Sequence, residues 1–279
     1  MNYEEMKNIV LEQSANDMMC DKSDFLKTGF TVVSMDDDEK SKSRGQKKSI
    51  PCKLFCNLLY FGTGLVCTVD SKIYDEVKKL LESELYSNKL YKMELFRVFE
   101  PDFIYRLNEI LIPFGKKINC MANFCLPVKD FLDFSVLSVK LDNFEYKFFF
   151  DKEIAFLYNE KGFDNALDYG SCLLEDYSKR KDKIAIAAYI DNKIVGVAAC
   201  TDDCDSMWQI GVDVLPEFRG KNIASFLVNK LSHKIFEKGK VPYYCSAWSN
   251  IASRNTAIQQ YSNTGGFKPA WVEIACVEW

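Results

Sequence analysis

The stretch Met207-Trp-Gln-Ile-Gly-Val-Asp-Val-Leu-Pro-Glu-Phe-Arg-Gly-Lys-Asn-Ile-Ala-Ser225 constrains this chain more than any other. Residues 207–214 are rich in β-formers, Pro216 marks a sharp exit, and a basic turn of small residues follows. Beyond the turn, Ala224, Leu227, Val228, Leu231 and Ile235 recur at helical spacing, which predicts a helix with one face on a core. A strand that turns tightly into a helix aims the helix's first backbone N–H groups at one point. The helix dipole and those N–H groups both favour an anion there, a pyrophosphate included. The glycine spacings of a dinucleotide-binding fold or a P-loop are absent. The plain alternative is an ordinary strand-to-helix connection carrying surface charges.

The chain has 279 residues, enough for two modest domains, and 48% hydrophobic content allows a sizeable core. A formal net charge of −4 argues against a nucleic-acid partner, because phosphate backbones want a basic field. The run from Asp36 to Lys48 is acidic, then basic, with no apolar residue. It reads as an exposed loop; as a DNA-binding arm its two halves would cancel. The start, Met1 to Lys7, lacks the basic opening and apolar core of a secretory signal, and no run is long enough to span a membrane. The expectation is a cytoplasmic protein without membrane contact. Eleven Cys, an odd number without a paired framework, read as free thiols, most of them small core hydrophobes. Cys52/Cys56 and Cys200/Cys204 sit four apart, but one His and no Cys-x-x-Cys pair leave no expected metal site.

The first half reads as a helix to about Ala15, a strand Gly29–Met35, and strands Lys53–Tyr60 and Leu65–Val69 about Gly62-Thr-Gly64. A helix Ile73–Leu85, a second opening near Pro101, and a strand Ile118–Leu126 complete it. No catalytic constellation is visible in this half. A boundary is expected between Pro127 and Asn143. After it come a strand Glu145–Phe150, helices Lys152–Glu160 and Asp164–Lys179, and strands Lys183–Ile190 and Ile194–Thr201 joined by a tight Asp191-Asn-Lys193 turn. The opening strand, turn and helix follow, then a strand Val241–Ala247, a helix from Ile251 and a strand Ala270–Val277.

That order is the order of the GNAT superfamily of acyl-CoA N-acyltransferases, which residues from about Leu141 to Trp279 resemble. The turn resembles the family's pyrophosphate loop, Gln/Arg-x-x-Gly-x-Gly/Ala, with Arg219 in the first position and Ala224 in the last. Asn222 stands where the family has Gly, and Asn tolerates left-handed backbone best among the other residues. Asn250-Ile-Ala-Ser253 and Gly266-Phe-Lys-Pro-Ala-Trp271 are similar to segments of bacterial members with an extra N-terminal domain. The resemblance implies an α+β protein: a smaller α+β domain of unknown role over residues 1–138, then a GNAT domain over 139–279. The GNAT domain would have a mixed, mostly antiparallel central sheet flanked by helices.

It also implies a site for acetyl-CoA as co-substrate. The backbone of Val212, Asp213 and Val214 would receive the pantetheine arm and polarise the thioester where two strands splay. Arg219, Gly220, Lys221, Asn222, Ile223 and Ala224 would hold the pyrophosphate. Asn250, Ser253 and Asn255 stand on the CoA side, although Asn250 and Ser253 suit a helix cap equally well. Many members carry a Glu base on the fourth strand; here Trp208, Gln209, Ile210 and Gly211 occupy that place. Alternation turns Asp213 away from the face of Val212 and Val214, so a water chain is an equal alternative. Tyr261 is the candidate acid for the leaving thiolate, with a core Tyr as the alternative, and Asn263-Thr-Gly265 reads as a small insertion after it. His233 is expected on a solvated helix face, and a Cys–His or Ser–His scheme has only this His to use. The lip for the acceptor is Lys161–Tyr169, where Asp164 and Asp168 would attract an ammonium group or cap a helix. The resulting expectation is an N-acetyltransferase acting on the amine of a small molecule or peptide, with a homodimer compatible. Its rivals are a non-catalytic acyl-CoA-binding or regulatory protein, and a chain whose N-terminal half carries the function.

Overall fold

Apolar runs punctuated by Gly, Asn and Pro turns give ten strands among the described residues of the computed structural model. It is described over residues 1–35, 53–86, 94–128, 139, 141–176, 179–264 and 266–278, the side chains of 53, 85–86, 259–264 and 277–278 excepted. In chain order the elements are α1 (Tyr3–Asp17), α2 (Ser23–Leu26), β1 (Gly29–Met35), β2 (Lys53–Tyr60), β3 (Gly64–Asp70), α3 (Tyr74–Tyr86), α4 (Pro101–Leu111) and β4 (Cys120–Pro127). Then follow β5 (Phe144–Phe150), β6 (Asp182–Ile190), β7 (Lys193–Thr201), β8 (Met207–Val214), α5 (Ile223–Glu237), β9 (Val241–Ala247), α6 (Ile251–Thr264) and β10 (Phe267–Glu278). The described residues form two compact units, one within Met1–Ile9 and Cys125–Pro269, the other within 10–35, 53–124 and Ala270–Trp279. The acidic-basic run Asp36–Lys48 lies outside the described residues.

The first unit is built on strands in the order β9-β8-β7-β6-β5. Pairs β5–β6, β6–β7 and β7–β8 are antiparallel, and β8–β9 is parallel. Asp191 and Asn192 both take positive φ, the twist a two-residue hairpin needs between β6 and β7. Both strands are buried on both faces, so each face has its own cover. Ile186, Val195 and Ala198 pack under Phe226, Leu227 and Leu231 of α5. Ala185, Ala187, Val197 and Ala199 pack against Ile154, Leu157, Phe163 and Leu167.

That second cover departs from the expected pair of helices. Residues Asp151–Asn159 form a 3₁₀ helix. Asp164–Lys179 is no helix in its described part: turns and one short 3₁₀ turn, Ser171–Leu173, take its place. Gly162 just before the segment and Gly170 within it both adopt left-handed backbone, which breaks a helix at both places. The N–H groups of Asn165, Ala166 and Asp168 are taken by side chains of the sheet instead.

In the second unit β1 pairs in parallel with β3, and β2 pairs antiparallel with both β3 and β10. Gly64 faces the chain of α2 so closely that a Cβ would overlap the backbone oxygen of Asp24. Helices α3 and α4 bury Val77 and Leu81, and Phe103, Leu107 and Leu111. Trp271 of β10 stacks on Phe124 at 4.7 Å and on Phe61 at 5.4 Å between ring centroids. Strand β10 begins at Phe267, three residues ahead of expectation, because Phe267 is itself a core residue.

Candidate active site

Strands β8 and β9 pair from Met207↔Val241 to Ile210↔Tyr244, and there the pairing stops. Strand β8 runs on to Val214 and β9 to Ala247, while β8 stays paired with β7 as far as Gly196↔Val214. Two parallel strands therefore part at mid-length. Residues Gly211–Val214 keep extended backbone with one edge turned to the opening. Main-chain N–H and C=O groups demand partners, and an extended, amide-bearing ligand arm can supply them as an added strand would.

Beyond the opening, Pro216–Phe218 form a 3₁₀ turn. Gly220 (φ 74°) and Asn222 (φ 63°) then take left-handed backbone and swing the chain into α5. Asn222 is the N-cap residue of α5, yet its side chain makes no capping hydrogen bond. The first-turn N–H groups of Ile223 and Ala224 thus meet no side-chain cap from Asn222. Gly220, Lys221 and Asn222 are exposed, Ile223 is buried and Ala224 half-buried against the core. Ile223 can therefore offer an anion only its N–H. The Arg219 Nε donates to the Val214 carbonyl at 3.0 Å, tying the turn to the strand end. Lys221 Nζ lies 5.2 Å from the Phe218 ring centroid.

The two faces of β8 serve different ends. Trp208, Ile210, Val212 and Val214 join the core beneath α5. Asp213 faces the other way and is committed: its carboxylate accepts the N–H groups of Asn165 (2.7 Å) and Ala166 (3.0 Å) and the Asn165 side-chain amide (2.9 Å). A Cβ on Gly211 would overlap the backbone oxygen of Asn165, so the Lys161–Tyr169 lip rests directly on this face. Asp164 is exposed, whereas Asp168 accepts from Arg180 Nε at 3.1 Å. Neither opens a helix, a correction to the capping alternative.

On β9's side, Asn250 Oδ1 accepts the Ser253 N–H at 3.0 Å, so Asn250 caps α6. The Ser253 hydroxyl pairs with Tyr244 Oη at 2.9 Å, at the last residue before the strands part. Burial raises the Tyr244 phenol above its ordinary range, which keeps it a proton donor. Asn255 is exposed on α6. Tyr261 belongs to α6 by its backbone, and its side chain lies outside the described residues. His233 is half-buried rather than solvated: burial, then Lys230, push it down to about 4. Seven of the described cysteines, among them Cys200 and Cys204, are buried and none is bridged; Cys52 lies outside the described residues. Among the described residues no His/Cys/Asp/Glu group could hold a metal ion.

Sequence reasoning missed a buried polar network on the lip's face of the sheet. Asp182, 1% exposed, opens β6; its Oδ2 accepts Tyr158 Oη–H (2.9 Å) and the Asp168 N–H (3.0 Å), and its own N–H donates to Ser171 Oγ (2.9 Å). Its Oδ1 is buried with no partner among the described residues. Burial, with Asp168's charge adding to it, lifts this carboxyl to about 7. Nearby, Asp203 Oδ2 accepts Thr201 Oγ1–H and the Gln209 N–H, both at 3.0 Å, and Arg180 Nη1 lies 3.6 Å from Asp203 Oδ1. Tyr243 Oη donates to Gln209 Oε1 at 3.2 Å, so the residue standing where a Glu was sought is itself engaged. The available signal was an Asp heading the apolar run Ile184–Ala188, a place where a charge needs a reason.

Parallel strands that part at mid-length thus open beside a left-handed turn into a helix. Residues 147–260 match the model of the acetyltransferase (GNAT) family. This segment is a GNAT acetyltransferase domain, and an α+β half precedes it. Among solved structures the chain is similar to a GCN5-related N-acetyltransferase from Kribbella flavida (15% identity, TM-score 0.41, 62% of this chain and 63% of that one). It is similar to a GCN5-related N-acetyltransferase-like protein from Streptococcus suis (13%, 0.40, 62% and 67%) and to a Drosophila protein (12%, 0.45, 64% and 58%). The chain thus spans about two thirds, or less, of the structures it matches. The sequence finds no match among curated proteins.

Proposed function

We propose that the domain transfers an acetyl group from acetyl-CoA to the amine of a small-molecule or peptide acceptor by direct attack. The observation that carries this reading is the parting of β8 from β9 after Ile210, with an uncapped left-handed turn opening α5 beyond it. In this proposal the backbone of Gly220–Ala224 holds the pyrophosphate, Arg219 and Lys221 add charge at the rim, and Asn255 meets the CoA side. The strand edge Val212–Val214 takes the pantetheine arm, and one of its N–H groups stabilises the developing oxyanion. The amine nitrogen bonds to the acetyl carbon and the C–S bond breaks. The ammonium proton leaves through water, since the Asp213 carboxylate is occupied by the lip. Tyr261 protonates the thiolate. Asn250 and Ser253 act by capping and bracing α6 beside Tyr244. We place the activity in residues 139–279 of a cytoplasmic protein with neither nucleic acid nor membrane as partner. The acidic balance disfavours a nucleic-acid partner, and among the described residues no helix is long and apolar enough to cross a membrane.

The second reading, an acyl-CoA-binding regulator without turnover, is favoured by one feature: β8 offers Gln209, already bonded to Tyr243, where a base is usual. Two measurements separate the readings. Acetyl-CoA should raise the melting temperature, since a native-state ligand stabilises, and Ala224→Asp should abolish the rise by setting a charge against the pyrophosphate. A panel of amines, polyamines, aminoglycosides, amino acids and peptides should then release free CoA with at least one acceptor. Binding without release would favour the regulator. An undiminished rise in well-folded Ala224→Asp would sink the site.

A further inference from the structure

Strand β5 ends the strand order of its unit, and among the described residues it pairs only with β6. Its seven residues contain no Pro and its pairing with β6 shows no bulge, so two usual devices for blunting a sheet edge are missing. The edge is also aromatic. Phe144, Tyr146, Phe148 and Phe150 share one face, with Tyr146 45% and Phe150 37% exposed. On the other side the exposed Phe156 stacks on Phe149. Glu145 and Lys147 are the only charges on the strand, both exposed and both on the face opposite Tyr146. Across β6 they meet Tyr189 and Ala187, and among the described residues neither forms an ion pair.

We propose that β5 pairs antiparallel with β5 of a second copy of this chain about a two-fold axis at Tyr146, joining two sheets edge to edge. The register follows from charge and pleat. A two-fold axis perpendicular to the sheet keeps each face on its own side, so it must pass through a residue, because a one-residue slip would turn side chains to the wrong face. An axis at Glu145 sets Glu145 against its copy, and an axis at Lys147 sets two lysines together. Both are destabilising, as directly opposed like charges are. An axis at Phe148 leaves Lys147 facing Phe149. The axis at Tyr146 alone places Glu145 opposite Lys147 twice, aligns Phe144 with Phe148, and sets the two Tyr146 rings side by side. It satisfies the open main-chain edge in the same step.

Sedimentation of the full chain over a range of concentrations tests this. The wild type should dimerise, and Glu145→Lys or Lys147→Glu should each weaken the dimer about tenfold or more by creating two like-charge pairs. The double variant Glu145→Lys/Lys147→Glu should regain it. In parallel, Tyr146→Cys should give a dimer by mild oxidation that reducing agent dissolves and that the wild type and Phe148→Cys lack, since only residue 146 faces its own copy. A wild type that stays monomeric overturns the proposal. So does a dimer indifferent to either single reversal, or a double variant that stays apart. Where a reversal fails to fold, the oxidation result decides: no Tyr146→Cys crosslink overturns the interface.

Discussion

A single side chain, Asn222, sits where the turn into α5 demands left-handed backbone (φ 63°, ψ 11°). Gly holds that backbone at no steric cost, and a β-branched residue resists it by about 1–2 kcal/mol. Asn222→Gly should therefore leave stability and the acetyl-CoA melting shift unchanged or improved, while Asn222→Val should lower both. Equal tolerance of Gly and Val in denaturant unfolding would show that the position makes no such demand. Tyr261→Phe removes one hydroxyl and should cut turnover about a hundredfold with acetyl-CoA affinity kept. Unaltered turnover would return Tyr261 to a packing role. Asp182 gives a pH signature with a definite sign. Its carboxyl titrates near 4 when unfolded and about 7 when folded, so between those values the folded state holds the extra proton. Stability from this group is greatest below about pH 4, falls as pH rises, and levels off above about pH 7. Asp182→Asn should abolish that decline, on the order of 2–4 kcal/mol, in melting curves compared with the wild type across the same range. A difference between the two that does not vary with pH would refute the assignment. The turn's residues were legible in the sequence because local backbone demand leaves a local mark, an Asn in place of Gly. The partners of Asp182 were not, since Tyr158, Ser171 and Asp168 meet it only in three dimensions.

Among elements, the strands were read closely because alternation and β-branched runs report burial directly; β1, β2, β8 and β9 begin and end where the residues suggested. Periodicity failed for residues 164–179. Apolar residues there recur at helical spacing, but the amides of Asn165 and Ala166 are taken by Asp213 from β8 and that of Asp168 by Asp182 from β6. Tertiary hydrogen bonds outcompeted the helix's own. Gly211 makes this lip possible by letting the Asn165 carbonyl approach β8. Gly211→Ala should push the lip outward and cost about 1–3 kcal/mol, the usual penalty for overfilling a packed contact. Because the lip faces the acceptor in the proposed reaction, the acceptor's KM should rise while acetyl-CoA binding holds. A change confined to acetyl-CoA affinity would assign the lip to the cofactor side instead.

At the scale of the whole molecule, the GNAT segment was legible as an order of elements, whereas the sorting of the chain's two ends was not. Nothing in Met1–Ile9 announces that it groups with Cys125–Pro269, or in Ala270–Trp279 that it groups with the first half. Those groupings rest on long-range pairs. Lys268 Nζ lies 3.8 Å from the ring centroid of Tyr3, and Val272–Glu278 complete a ladder with β2. Expression of residues 139–279 alone probes what these ends contribute. The fragment lacks Tyr3 with its helix and retains β10 without β2, leaving the apolar edge of Ile274, Ala275 and Cys276 open to pairing with other chains. It should aggregate or melt well below the full chain, and adding Met1–Ile9 at its start should not restore it, because the β10 edge remains open. Substituting Ile274→Lys in the fragment should recover solubility by charging that edge. A soluble, monomeric 139–279 fragment with the full chain's melting temperature would show that neither Met1–Ile9 nor the pairing of β10 with β2 is needed. The acyl-transfer domain would then stand as a self-sufficient fold.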